Sequence, residues 1–140
     1  GTIGDYFSAK YGNLTANPLF LEIENNRLRS VRCDNRYLQN EFWRYAHLSE
    51  NSDRVGEFAI GANIGVNKMI YNLLQDEKLP GMHIALGDPY GSQTGADWSA
   101  PTHVDAIAKE CDIWIDGRQI MNKGKFTFLD KQLLEKATKV

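Results

Sequence analysis

The residues from Met82 to Ile107 read MHIALGDPYGSQTGADWSAPTHVDAI and contain two of the chain's three histidines. The two ends of this stretch, MHIALG and THVDAI, have the short apolar pattern of buried strands, and a polar, glycine-rich loop lies between them. Side chains two residues apart in a strand point to the same face, so we expect His103 and Asp105 to point the same way. With His83 from the first strand, these side chains predict a divalent metal site.

The composition limits the kind of protein this can be. A chain of 140 residues with 42% hydrophobic and 24% charged residues is typical of one globular domain with a real core. A net charge of −2 gives no basic surface for nucleic acid or for an anionic membrane, and no apolar run approaches the roughly 20 residues that span a bilayer. Cys33 and Cys111 lack metal-type spacing, so we expect reduced thiols and a cytoplasmic protein.

Strand and hairpin patterns lie on both sides of the central stretch. Alternating residues around Asn25-Asn26 predict one β-hairpin, and Asp116-Gly117 between two short apolar segments predicts another. The segment from Arg54 to Gly61 has the pattern of a short buried strand, and Lys125 to Phe128 that of a last one. These patterns favour a sheet that is mixed but largely antiparallel.

The expected helices are inserted between these strands. Asp34 is a good N-cap for a helix that reaches about Leu48. Its predicted buried stripe contains Tyr37, Leu38, Phe42, Tyr45 and Ala46, and the surface His47 follows near its end. Further helices are expected at Val66 to Leu74 and Asp130 to Ala137, whereas Thr2 to Ala16 is expected to be extended and broken by turns. The resulting prediction is an α+β fold in a single domain, with β-hairpins and inserted helices.

Glu57 stands out because a lone carboxylate in a buried strand costs several kcal/mol unless it is paired or binds a cation. It either pairs with Arg54 or a lysine, or it joins the two histidines and Asp105 around a metal. In the alternative without a metal, His83 is a core histidine bonded to a carbonyl, and His103 forms a surface pair with Asp105.

Tyr90 lies in the loop beside this predicted site. A phenol in that position can polarise a carbonyl or bind an oxyanion, but loop tyrosines also serve simply as packing residues. The residues alone leave both roles open.

Several motifs, taken together and in order, resemble one known family over about Leu19 to Phe126. They are VGEFAIGAN (Val55 to Asn63), DEK (Asp76 to Lys78), HIALGD (His83 to Asp88), HVD (His103 to Asp105) and IWIDGRQIMNKGKF (Ile113 to Phe126). The chain resembles the C-terminal portion of the aminopeptidase T family of metallopeptidases, often described as leucyl aminopeptidases.

This resemblance implies a hydrolase that removes N-terminal residues from peptide substrates at a two-metal centre containing Zn, Co or Mn. It implies Glu57, His83, His103 and Asp105 as metal ligands, and Glu57 and Tyr90 as catalytic residues. The metals would activate a water molecule and polarise the scissile carbonyl.

The resemblance also implies a larger assembly. Residues 1–140 would be a single domain, the C-terminal part of a two-domain enzyme that also has an N-terminal domain and forms a homodimer. A further glutamate ligand of the family lies upstream of the matching region. We therefore expect the 140-residue chain to be inactive as a peptidase on its own.

Two other functions remain as alternatives. A related group with a similar His…His-x-Asp pattern cleaves hydroxylated pyridine rings with one Fe(II), and its members share the valine form that Val104 gives here. Two histidines and one carboxylate with open positions suit such oxygen chemistry. The third alternative is a non-catalytic domain that dimerises through its hairpins.

Overall fold

The computed structural model describes residues 2–12, 14, 17–66, 68 and 73–129. The elements are β1 (Thr2–Ile3), α1 (Asp5–Tyr11), β2 (Phe20–Glu24), β3 (Arg27–Arg32), α2 (Arg36–Ala46), β4 (Val55–Gly61), α3 (Leu73–Asp76), β5 (Gly81–Gly87), α4 (Gly91–Thr94), β6 (His103–Lys109), β7 (Ile113–Ile115), β8 (Arg118–Asn122) and β9 (Lys125–Phe126). This arrangement is the expected α+β fold.

The strands of the described residues form three antiparallel sheets. One sheet has four strands in the order β1-β6-β5-β4, the second is the β2-β3 hairpin, and the third is β7-β8-β9. Every strand pair in them is antiparallel, so the expected parallel component is not found in the described part of the chain.

Both predicted hairpins are confirmed, because their turn residues adopt the backbone that a two-residue turn requires. Asn25 and Asn26 have φ of 50° and 63°, and Asp116 and Gly117 have φ of 49° and 77°. Positive φ at both central residues matches the right-handed twist of the strands that the turn connects. Asparagine, aspartate and glycine tolerate this conformation better than other residues do.

The predicted start of α2 was wrong by one residue. Its N-cap is Asn35, whose side chain accepts hydrogen bonds from the backbone N–H groups of Tyr37 and Leu38, and Asp34 lies outside the helix. The helix ends at Ala46 with a buried face of Leu38, Phe42 and Ala46. Tyr37 was predicted to belong to the buried stripe, but it is 83% exposed. It lies one residue before the first buried position of the helix.

The prediction of extended structure near the start of the chain holds for the strand Thr2–Ile3 but is wrong for Asp5–Tyr11, which is a helix. The negative charge of Asp5 in the first turn is stabilised by the helix dipole. Gly12 ends the helix with a φ of 66°. Phe7 is almost completely buried and contacts the rings of Phe42 and Tyr45 of α2. Tertiary packing of this one side chain explains a helix that the glycines made hard to predict.

The core lies on one face of the four-stranded sheet. Leu86 and Val104 form part of it with Leu28 and Val31 of the hairpin and with the buried faces of α1 and α2. Because side chains alternate along a strand, the odd-numbered residues of β5 and β6 lie on the opposite face. That face carries the candidate site.

Two predicted helices fall wholly or partly outside the described residues. Of Val66 to Leu74, the structure describes a helix only from Leu73, within Leu73–Asp76. The predicted helix at Asp130 to Ala137 lies outside the described residues altogether. In the described part of the chain, no helix has the length and apolar character needed to cross a membrane. Both cysteines are free thiols.

Candidate metal centre

Strand register brings the four predicted ligands to one point on the open face of the sheet. Ala85 of β5 is directly opposite Asp105 of β6 on one side and Glu57 of β4 on the other. His83 lies two residues before Ala85 on the same face, and His103 two residues before Asp105. The four side chains therefore surround Ala85, which is completely buried beneath them.

The distances show a compact cluster. Oδ1 of Asp105 lies 2.8 Å from Nε2 of His83 and 3.3 Å from Nε2 of His103. Glu57 lies slightly farther away, with Oε1 at 3.7 Å from Nδ1 of His83 and Oε2 at 3.9 Å from Nε2 of His103. Ligand atoms of Glu57, His83 and Asp105 all lie within 4.8 Å of one another, close enough to share one metal ion. His103 is outside this group of three and contacts it through Asp105 and Glu57.

The loop after β5 orients His103. Nδ1–H of His103 donates a 2.8 Å hydrogen bond to the backbone carbonyl of Asp88. A carbonyl can only accept, so Nδ1 carries the proton and Nε2 is turned toward Asp105 and Glu57. Metal-binding histidines are commonly fixed by a bond of this kind from the other ring nitrogen.

Hydrogen bonds within the cluster shift the pKa values of three of its members. The hydrogen bond to Asp105 raises the pKa of His83 and that of His103, and burial opposes the rise in both cases. Burial alone would raise the pKa of Asp105, but the hydrogen bonds from His103 and His83 outweigh it and hold that pKa well below its usual range. Asp105 is therefore an ionised, half-buried acceptor, which is the state that a cation requires.

A bulge in β4 sets the position of Glu57. The pairing of β4 with β5 shifts register between Val55 and Glu57, so Gly56 is the extra residue. A Cβ atom on Gly56 would lie 2.3 Å from the carbonyl oxygen of Gly87 and 2.8 Å from that of Asp88. Glycine thus allows β4 to approach the backbone that holds His103.

Arg54 is not the partner of Glu57. Its guanidinium lies over the ring of Trp98, 4.0 Å from the ring centre. Among the described residues, the ion pairs of Glu57 are with the two histidines. The structure thus brings Glu57 into the cluster, as the metal hypothesis requires.

Tyr90 lies at the edge of the cluster. Its ring centre is 4.7 Å from that of His103, and the residue is 47% exposed. Its φ of 53° places it in the left-handed region, immediately before the short helix Gly91–Thr94. The tyrosine therefore contacts one predicted ligand and still faces solvent.

Sequence reasoning missed three residues that shape this site: Ala85, Asp88 and Gly56. Ala85 provides the small floor, the Asp88 carbonyl orients His103, and Gly56 forms the bulge. Only the glycine gives a local signal, since an isolated glycine in a strand often marks a bulge. The other two depend on register and on backbone position, which no motif encodes.

Comparison with known proteins gives one relevant finding. No protein-family model matches the chain, and no curated protein matches it. The structure is similar to that of a 2,5-dihydroxypyridine dioxygenase from Pseudomonas putida KT2440, with a TM-score of 0.65 over 92% of this chain. The two chains share a fold. Sequence identity is 14%, and this chain spans 38% of the length of that dioxygenase.

Proposed function

We propose that this chain is the metal-bearing domain of a mononuclear Fe(II) enzyme related to ring-cleaving dioxygenases. The observation that carries the proposal is the position of Oδ1 of Asp105 between Nε2 of His83 and Nε2 of His103. Two imidazoles and one carboxylate on adjacent strands, beside an open surface, form the donor set of non-haem Fe(II) oxygenases. The fold shared with a dioxygenase supports this alternative over the peptidase.

In this proposal each residue has a defined role. His83, His103 and Asp105 would hold the ion, which when bound supplies oxygen-activating chemistry to a neighbouring substrate. The Asp88 carbonyl keeps the imidazole of His103 turned toward the site. Glu57 and Tyr90 can accept or donate a proton at the substrate, because both lie beside the ligands and are partly exposed.

Glu57 favours a second candidate, the metalloaminopeptidase. A second carboxylate within 4 Å of both histidines exceeds what a mononuclear Fe(II) site needs. Two carboxylates and two imidazoles can instead belong to a hydrolytic site for Zn, Co or Mn, in which the metals activate water at a peptide bond. In that case the whole enzyme would need a further ligand to hold its second metal.

Metal binding tests the proposal directly. We expect calorimetric titration under anaerobic conditions to show one equivalent of Fe(II) bound, and His83→Ala or His103→Ala to weaken binding at least tenfold. His47→Ala is the matched control, because His47 is exposed and its Nδ1 bonds to the Trp43 carbonyl on α2. Two equivalents of Zn, Co or Mn would support the peptidase instead. Failure of the wild-type chain to bind any of these ions would contradict both metalloenzyme candidates. The non-catalytic dimerisation domain would then be the remaining alternative.

A further inference from the structure

A groove of about 350 Å³ opens beside the metal centre, along the end of β4. The residues that border it include Glu57, His83, Asn63, Glu77 and Lys78. Two of these, Glu57 and His83, belong to the metal cluster. A molecule that fills the groove would therefore contact both the metal cluster and Glu77.

The turn that carries Glu77 is fixed against β4. The backbone N–H of Asn63 donates a 3.0 Å hydrogen bond to the carbonyl of Lys78. Gly61 allows this close approach, because a Cβ there would lie 1.8 Å from the carbonyl oxygen of Leu79 and 2.9 Å from that of Glu77. The position of Glu77 relative to the cluster is thus set by backbone packing.

The carboxylate of Glu77 is available to a ligand. The residue is half-buried, and among the described residues no cation lies within salt-bridge distance of it. A half-buried carboxylate that borders a groove favours a ligand that donates a hydrogen bond or carries positive charge.

We propose that Glu77 is a specificity-determining residue that accepts a hydrogen bond from an N–H group of the substrate while oxygen atoms of the same molecule reach the metal. The inference rests on the proposed metal site but not on the choice between its two candidate reactions. A ring N–H of an oxygenated heterocycle and the amino group of a peptide offer the same chemistry to Glu77. The proposal excludes substrates that lack such a nitrogen as good ligands.

Ligand pairs that differ only in the nitrogen donor test this inference. The first pair is 3-hydroxy-2-pyridone and its N-methyl derivative, and the second is leucine hydroxamate and 4-methylpentanohydroxamate. Each would be titrated calorimetrically into the 140-residue chain saturated with Co²⁺. We expect the wild-type chain to prefer the N–H member of at least one pair by about tenfold, as a hydrogen bond to a charged group provides.

Three variants make the result specific. Glu77→Leu should abolish the preference, Glu77→Gln should reduce it, and both should bind Co²⁺ as the wild type does. Glu50→Gln, a change at an exposed turn residue, should keep the preference. A preference confined to the pyridones identifies a heterocyclic substrate, and one confined to the hydroxamates a peptide amino group.

Two results would overturn the inference and leave the metal site intact. One is equal binding of both members of each pair by the metal-loaded wild type, and the other is an unchanged preference in Glu77→Leu. Failure of Co²⁺ to bind would instead overturn the proposed function from which the inference starts.

Discussion

The protonation state of His103 decides whether its contact with Asp105 is attractive or repulsive. Nδ1 of His103 carries a proton because it donates to the Asp88 carbonyl. In a neutral imidazole, Nε2 then presents a lone pair to Oδ1 of Asp105 at 3.3 Å, and two acceptors repel each other. Either a second proton or a cation must lie between them. The raised pKa of His103 favours a second proton on Nε2, which removes the repulsion. A bound metal would remove the same repulsion in place of that proton.

Ala85 gives the most direct test of where the ion would lie. It is completely buried and lies opposite both Glu57 and Asp105, so added methyl groups would enter the space between the ligands. We expect Ala85→Val to weaken metal binding at least tenfold and to lower the free energy of unfolding by about 1–3 kcal/mol. Calorimetric titration and urea unfolding would measure the two effects.

The matched control for this change is Ala106→Val. Ala106 lies on β6 next to Asp105, but it packs against the core on the opposite face. The same increase in volume there should cost stability and leave metal affinity unchanged. If both variants bind metal as the wild type does, the ion does not lie above Ala85.

Local sequence spacing predicted the shared direction of two members of the cluster. The positions of the other two depend on how distant segments of the chain pair. His103 and Asp105 are two residues apart on one strand, so their shared direction follows from strand geometry. Glu57 and His83 belong to two other strands, and only the register of β4 with β5 and of β5 with β6 brings them in. A slip of one residue would move them to the core face. Residue chemistry proposed all four as candidate ligands and the family resemblance implied the same set, but strand periodicity alone related only His103 to Asp105.

The bulge in β4 sets the position of Glu57 and also brings this strand close to the loop that orients His103. We expect Gly56→Ala to push the Gly87 and Asp88 carbonyls away, because its Cβ would lie within 3 Å of both oxygens. Loss of the support for His103 should reduce metal affinity about 10–100-fold, as the loss of other orienting partners does. Unfolding should become easier by about 1–3 kcal/mol. Titration calorimetry and urea unfolding would measure both changes.

A variant that destabilises the chain elsewhere separates these two effects. Leu38→Ala removes a completely buried side chain from α2, on the core side of the sheet. It should lower stability by about 2–5 kcal/mol without weakening metal binding by the remaining folded molecules. A Gly56→Ala protein that is less stable but binds metal normally would show that the bulge does not position the site.

The elements differ in how far sequence alone predicts them. The two hairpins were predictable because their turns are decided by two adjacent residues in each case. The start of α2 was less so, since Asp34 and Asn35 are both good caps and only the final geometry distinguishes them. The helix α1 was missed because Phe7 is buried against α2, far along the chain.

Considered as a whole, the molecule places its core and its candidate metal site on opposite faces of one sheet. The core lies on the face that packs against the hairpin and helices α1 and α2, and the residues of the candidate metal site lie on the other. The α1 and α2 helices are joined outside the core by one carboxylate. Glu41 accepts hydrogen bonds from Tyr6 at 2.5 Å, from Lys10 at 2.7 Å and from Tyr11. Changes there should alter folding without altering the metal site.

This helix contact predicts how stability depends on acid. The hydrogen bond from Lys10, aided by those from Tyr11 and Tyr6, lowers the pKa of Glu41 from 4.5 to about 2. A lowered pKa means that the ionised group stabilises the folded state above pH 4.5, and that this contribution is lost as the pH falls toward 2. Glu41→Gln should therefore be less stable than the wild type at pH 5 to 7, as measured by urea unfolding, and the difference should shrink below about pH 4.5.

Tyr37→Phe is the control for this experiment, because Tyr37 is on the same helix but exposed. We expect it to match the wild type at every pH, while Tyr11→Phe, which removes one donor to Glu41, should show part of the Glu41→Gln effect. Metal affinity should be unchanged in all three variants, since the cluster lies on the other face of the sheet. A stability difference between Glu41→Gln and wild type that stays constant down to pH 2 would mean that the carboxylate does not stabilise the folded state through its charge.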